Sequence, residues 1–286
     1  LTYLWLAKIH GQNFNKLDLL PALTQAYGDI LKAFKARNVT WVQIDEPILS
    51  LDLPGFWLNA FDNVYTELNA AGCKVLLTTY FEDVSAHITR ISKLPVQGVH
   101  IDGARAPQQM TEWVDLLPTD KVLSIGLIDG RNIWRADVRA LIDQLQKAKT
   151  TLGERLWVGT SCSLLHTPVS LEFETKLDPE IRNWLAFATE KVTEINVITR
   201  ALNEGNEAVL NELIQSDAAQ YARRNSKRVT SDFVRNRLAN VTTAMSTRVT
   251  PFAQRIKKQQ AHLNLPLFPT TSIGSFPQTT EIRQLR

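Results

Sequence analysis

A chain of 286 residues with 44% apolar content can bury one large core or two modest ones, so a folded, soluble protein is expected. No apolar run approaches the ~18 residues a bilayer-crossing helix needs, and no charged and apolar leader precedes the first run, so neither a membrane span nor a signal peptide is expected. The net charge of +3 hides an asymmetry: ten basic residues and one acid lie between Tyr221 and Gln260, leaving 22 basic and 28 acidic residues elsewhere.

That basic segment reads either as a nucleic-acid arm or as a helical stretch packed on the protein's own acidic surface. Almost no aromatics interleave the charges and no nucleic-acid motif occurs, so no nucleic-acid partner is expected. Cys73 and Cys162 are too few and too far apart for a disulfide framework or a CxxC metal motif, which points to a reducing, cytoplasmic setting.

In chain order, short apolar runs alternate with amphipathic stretches. The runs 3-YLWLA-7, 40-TWVQI-44, 74-KVLLTTY-80, 97-QGVHID-102, 121-KVLSIGLI-128 and 155-RLWVGT-160 read as strands. Between the first two, Leu17, Leu20, Leu23, Tyr27, Ile30, Leu31 and Phe34 recur at three and four residues, the spacing of one helical face. Further helices are expected near 56 to 70, 83 to 93, 107 to 117 and 136 to 150. This alternation predicts an α/β fold with a parallel sheet joined by right-handed crossovers. Six strands suit either a doubly wound sheet or part of a (β/α)8 barrel. The barrel is favoured because no GxGxxG follows a strand and polar residues gather at strand C-terminal ends, where barrel enzymes collect their sites.

After His166 the strand signal stops. Asp178 and Pro179 make a helix start, and Gly205 a stop; further helices are expected near 206 to 225 and 230 to 262. The segment 265-LPLFPTTSIGSFPQT-279 then opens something new.

Several clusters invite chemistry. In 42-VQIDEPIL-49 a strand ends on Asp45 and Glu46; with Asp102 and Asp129 these carboxylates suggest a glycosidase pair about 5 to 9.5 Å apart, with Trp41, Trp134 and Trp157 as sugar platforms or as core. Cys162, His100 and Asp102 are candidate metal ligands from separate strands, or else a buried thiol beside a satisfied core histidine. The stretch 159-GTSCSLLH-166 pairs hydroxyls and a thiol with a histidine but lacks the GxSxG elbow, so a strand-end turn is the better reading.

Taken together, 42-VQIDEPIL-49, 76-LLTTYF-81, 126-GLIDGRNIWRAD-137, 160-TSCSLLH-166 and 268-FPTTSIGSFPQTTEIR-283 resemble the cobalamin-independent methionine synthase family, in order and over essentially the whole chain. The resemblance implies a (β/α)8 barrel lacking its first two strands over residues 1–177, a helical connection over 178–264, and over 265–286 the first strand of a C-terminal catalytic barrel in the same polypeptide. It implies methyl transfer from 5-methyltetrahydropteroyltri-L-glutamate to homocysteine, using zinc and no cobalamin. The family's two barrels are related by duplication, and its zinc-ligand positions His, Cys, Glu and Cys fall here on Thr78, Tyr80, Asp102 and Cys162. Thr78 and Tyr80 are poor zinc ligands, so neither a metal site nor a catalytic residue is expected in this chain. The one carried-over contact is Ile273, Gly274 and Ser275, expected to bind homocysteine in the complete enzyme. The basic residues of 221 to 260, Arg223 and Arg224 among them, are expected to help hold the polyglutamate tail. Beside a methyltransferase segment, two other readings are a stand-alone binding module and a barrel hydrolase using Asp45 and Glu46.

Overall fold

The structure, a computed structural model, describes residues 1–11, 13–270 and 279–285. It divides into two compact units, Leu1–Ser226 and Lys227–Arg286. The first contains a five-stranded parallel sheet in the order β1-β2-β3-β4-β5, with β1 Trp41–Asp45, β2 Lys74–Thr78, β3 Gly98–Asp102, β4 Val122–Ile128 and β5 Leu156–Thr160. Spatial order follows chain order, so the sheet lacks the reversal point of a doubly wound fold.

Helices α3 (Gly55–Asn69), α4 (Ile88–Lys93), α5 (Gln109–Leu116) and α6 (Val138–Leu152) fill the crossovers, close to where apolar periodicity places them. In α6 the residues Ile142, Leu145, Ala148 and Leu152 are buried, and the Asp137 carboxylate caps the first turn by accepting from Ala140 N at 3.2 Å. β3 is buried throughout, as a central strand covered on both faces must be. β1 and β5 are the outer strands and are only partly covered.

The sheet is curled. Trp41 on β1 and Trp157 on β5 meet with ring centroids 4.7 Å apart, whereas the outer strands of a flat five-stranded sheet would lie about 19 Å apart. Gly98 on β3 makes room for the pair: a Cβ there would meet Trp41 Cζ3 at 3.3 Å.

The run 3-YLWLA-7 is not a strand. It forms a short helix, α1 (Thr2–Leu6), so among the described residues the strands number five and not six. A five-residue apolar run fits a helix turn as well as a buried strand. Here the helical alternative is held by Glu46, which accepts from Thr2 N and Thr2 Oγ1 at 2.7 Å and from the Leu1 nitrogen at 2.8 Å, a carboxylate at a helix N-terminus. Helix α2 (Leu20–Lys35) follows as expected.

The stretch beyond 178 begins with the expected cap: Asp178 accepts from Glu180 N at 2.9 Å, and Pro179 starts α7 (Pro179–Asn183). The helical stretch then breaks. Residues Trp184 to Ala186 pair with the β4–α6 loop, through Arg135 N to Trp184 O and Ala186 N to Ile133 O, both 2.9 Å, before α8 (Ala188–Glu204) and α9 (Leu210–Asn225) complete the unit.

In the second unit the single helix expected over 230 to 262 is three: α10 (Asp232–Ala239), α11 (Thr243–Ser246) and α12 (Phe252–Leu263). Pro251 stands just before α12 and has no N–H to carry a helix through. A short α13 (Thr280–Gln284) lies beyond. Among the described residues no helix is long and apolar enough to cross a membrane.

Candidate functional site

Five parallel strands in near register bring their C-terminal ends to one side, because Asp45 pairs with Thr78, Thr78 with His100, and Asp102 with Gly126. Asp45, Tyr80, Phe81, Asp102, Asp129, Arg131, Cys162 and His166 sit on or just after those ends.

The adjacent carboxylates of 42-VQIDEPIL-49 have different duties, since neighbouring positions on a strand face opposite sides. Asp45 shares a face with Gln43, whose Nε2 donates to its Oδ1 at 2.8 Å, and takes the Tyr80 hydroxyl on Oδ2 at 3.3 Å. Burial, then the Asp45 charge, pushes the Tyr80 phenol up to about 12. Glu46 is buried on the opposite side, where the Tyr65 hydroxyl donates to it at 3.4 Å beside the α1 donors. Burial first, and Glu46 second, raise the Tyr65 phenol well above its ordinary value. A glycosidase pair built on Asp45 and Glu46 therefore does not form, and the three tryptophan rings already have partners. Trp41 and Trp157 pack on each other, and the Arg223 guanidinium covers the Trp134 ring at 3.8 Å.

Asp102 organises two loops. Its Oδ2 accepts from Phe81 N at 2.9 Å, and its Oδ1 accepts from Ala104 N at 3.1 Å and Arg105 N at 2.8 Å. Burial raises its carboxyl above the usual range, and these amide bonds partly offset the shift. They hold Phe81 at φ 82°, a left-handed conformation costly for an aromatic residue, of order 1–3 kcal/mol. In return Phe81 is presented to Arg131, whose guanidinium lies 4.7 Å over its ring, and to Tyr80 and His166, with centroids at 4.6 and 5.9 Å. Replacing Asp102 with alanine strands three loop amides and is expected to destabilise the chain by about 2 kcal/mol, read as a lower urea midpoint with unchanged m-value.

His100 is buried, with Nδ1 2.8 Å from Ser124 Oγ, and burial pulls its imidazole down to about 4. Burial likewise raises the Cys162 thiol, whose nearest hydroxyl partner is Ser161 Oγ at 3.9 Å. Thr78 Oγ1 is buried without a partner. His100 turned to a serine, Asp102 saturated by amides, and Thr78 and Tyr80 in place of nitrogen or sulfur donors do not fit zinc. Among the described residues no group of three or more His, Cys, Asp or Glu side chains could hold a metal ion. Ile273, Gly274 and Ser275 lie outside the described residues.

The stretch 129–137 is the most heavily braced part of the site. Asp129 accepts from Arg131 N at 2.7 Å and Asn132 Nδ2 at 2.9 Å. From α8, buried Lys191 donates to Asn132 Oδ1 at 3.1 Å and Trp134 O at 3.3 Å, while Glu194 accepts from Ala136 N at 2.9 Å. From α9, Gln220 donates to Arg135 O at 2.9 Å and Arg224 pairs with Asp137 at 2.6 Å. Arg223 and Arg224 thus both contact the β4–α6 loop of their own unit. Sequence reasoning missed Lys191 and Glu194; buried ionisable residues on one helix face show no pattern until the loop they serve is placed.

The chain matches the family model for the "cobalamin-independent synthase, N-terminal domain" over residues 1–153. It is similar along its whole length to proteins named 5-methyltetrahydropteroyltriglutamate–homocysteine methyltransferase. It is 51% identical to that of Paraburkholderia phytofirmans over 286 residues, 37% of that protein. It is 50% identical to that of Haemophilus influenzae over 289 residues and 51% identical to that of Pasteurella multocida over 290, each 38% of the relative. The chain therefore spans little more than a third of the length of these relatives.

Proposed function

Because this chain belongs to the cobalamin-independent synthase family, we infer that it is a segment of an enzyme that moves the methyl group of 5-methyltetrahydropteroyltri-L-glutamate to homocysteine, forming methionine. The observation that carries this is about half identity, without truncation on this side, to relatives bearing that name of which the chain makes up 37%.

On this reading the curled sheet is part of a (β/α)8 barrel whose remaining strands lie in the rest of the polypeptide. The Trp41–Trp157 contact and the chain-order sheet support that. The boundaries at 177 and 264 follow from it, with residues 265–286 opening the C-terminal barrel and Ile273, Gly274 and Ser275 contacting homocysteine there. Glycine at 274 would let backbone approach the amino acid closely. Both cysteines are free and buried, which suits a cytoplasmic enzyme.

Methyl transfer needs a thiolate nucleophile and a folate nitrogen made a better leaving group by protonation. The strand-end residues here supply neither. Asp45 is held by Gln43 and Tyr80, and Asp102 by three loop amides, so their part is to set loop shape. On this reading zinc belongs to the C-terminal barrel, and no cobalamin is required.

Two measurements test this together. The 286-residue chain alone is expected to hold no stoichiometric zinc and to give no methionine from the two substrates, whereas the polypeptide that includes the rest of the enzyme does both. One tight zinc per isolated chain, or turnover by it, would overturn the assignment of chemistry to the other barrel.

A further inference from the structure

Phe81, just past the end of β2, is held at φ 82°. The other non-glycine residues with positive φ among the described residues, Asn38 and Asn264, are of a type that enters this region readily. Such strain persists only where the surroundings over-determine it, and it clusters at ligand clamps and active sites. Three side chains fasten the stretch here. Asp102 Oδ2 accepts from Phe81 N at 2.9 Å, Gln108 Nε2 donates to Asp83 Oδ2 at 2.9 Å, and Gln109 Oε1 accepts from Val84 N at 3.2 Å. What they secure is a ring beneath Arg131, whose guanidinium lies over it at 4.7 Å. Arg131 is exposed, and its side chain makes no hydrogen bond or ion pair among the described residues. The nearest carboxylate along the chain, Asp129, is occupied by the Arg131 backbone N–H at 2.7 Å and by Asn132 Nδ2 at 2.9 Å.

A guanidinium stacked on a ring keeps its in-plane N–H groups free for a planar acceptor with two oxygens. Carboxylate and phosphate both offer one, and the surrounding charge separates them. Asp45, Asp102 and Asp129 sit on or just after the same strand ends, and they oppose a dianion about twice as strongly as a monoanion. A single carboxylate is therefore the better complement. The body that carries it meets rings: Tyr80 and His166 stand 4.6 and 5.9 Å from Phe81, and Leu165, beside His166, is 92% exposed. We propose that the strand-end mouth binds a small aromatic monocarboxylate, its carboxylate on Arg131 and its ring among Tyr80, Phe81 and His166. Asp102 then serves as a positioning residue, acting on Arg131 through Phe81. The proposal goes beyond the methyltransferase reading and does not rest on it.

The test is a nuclear magnetic resonance titration of the isotope-labelled 286-residue chain with benzoate, benzamide and inorganic phosphate at constant ionic strength. Benzoate is expected to shift the Arg131 Nε–H and Phe81 N–H resonances saturably, with a dissociation constant of about 10 mM or below. Benzamide, of the same shape without the charge, and phosphate should each bind at least about tenfold more weakly. Arg131→Gln should weaken benzoate by about tenfold, read at Phe81 N–H. Phe81→Asn keeps a residue suited to positive φ and removes the platform. It should hold the urea midpoint and yet weaken benzoate about threefold, a change that a role in folding alone would not produce. No saturation up to about 100 mM, equal binding of benzamide or phosphate, or unchanged benzoate binding in Phe81→Asn overturns the proposal. Should either variant fail to fold, the three compounds on the unaltered chain decide the matter.

Discussion

Replacing Gly126 with alanine is expected to cost about 4 kcal/mol of unfolding free energy, while the same change at Gly159 stays within about 1 kcal/mol. Both glycines line the space around buried His100. A Cβ on Gly126 would stand 2.6 Å from Ser161 Cα, 2.7 Å from Thr160 O and 2.9 Å from His100 Nε2. The first two are backbone atoms just past or within β5, the neighbour to which β4 is hydrogen-bonded, so they cannot move without opening the sheet. On Gly159 the nearest atom would be His100 Cε1 at 3.6 Å, ordinary contact. Urea unfolding of the two variants side by side gives the contrast. Equal midpoints would mean that β5 is not held where it is described.

The second large effect is acid sensitivity through His100. Its imidazole lies at about 4 in the folded chain against 6.5 when free, so the folded state refuses a proton that the unfolded state accepts. The contribution is fully present above about pH 6.5 and is lost as the pH falls from there toward about 4, a total of about 3 kcal/mol. Asp102 and Glu194 oppose it. Their carboxyls are raised in the folded chain, so they favour folding more strongly as the pH falls through their folded values. His100→Asn keeps a hydrogen-bonding group toward Ser124 and cannot take up a proton. Its stability, measured by urea unfolding between about pH 7 and about pH 4.5, should fall less steeply than that of the unaltered chain. Parallel curves would show that His100 does not titrate out of a buried site.

Strands β2 to β4 were legible because a parallel strand covered on both faces is a nearly unbroken apolar run ending in turn residues, and β1 and β5, though only partly covered, carry the same kind of run. The run at 3–7 has the same composition, and what made it a helix was Glu46, more than forty residues away, which no local pattern could supply. Helix periodicity placed α3 and α6 well but carried on through 184–187, where the backbone instead pairs with the β4 loop. At the strand ends the residue types were visible and their allegiances were not. Asp45 and Glu46 read as a pair until strand alternation sent them to opposite faces. Phe81 carried no mark of its positive φ, since that conformation is imposed by Asp102 from the next strand.

The indole pair that closes the curl also makes the sheet's geometry visible to light. Two aromatic chromophores 4.7 Å apart and inclined by 64° have coupled electronic transitions, and such coupling gives a two-signed circular dichroism band whose size depends steeply on their separation. Since one indole rides on each outermost strand, the band tracks how far the two ends of the sheet are drawn together. Subtracting the spectrum of Trp157→Phe removes the second pair, Trp5 with Trp57 at 5.0 Å, and leaves a signal that follows the curl of the sheet alone.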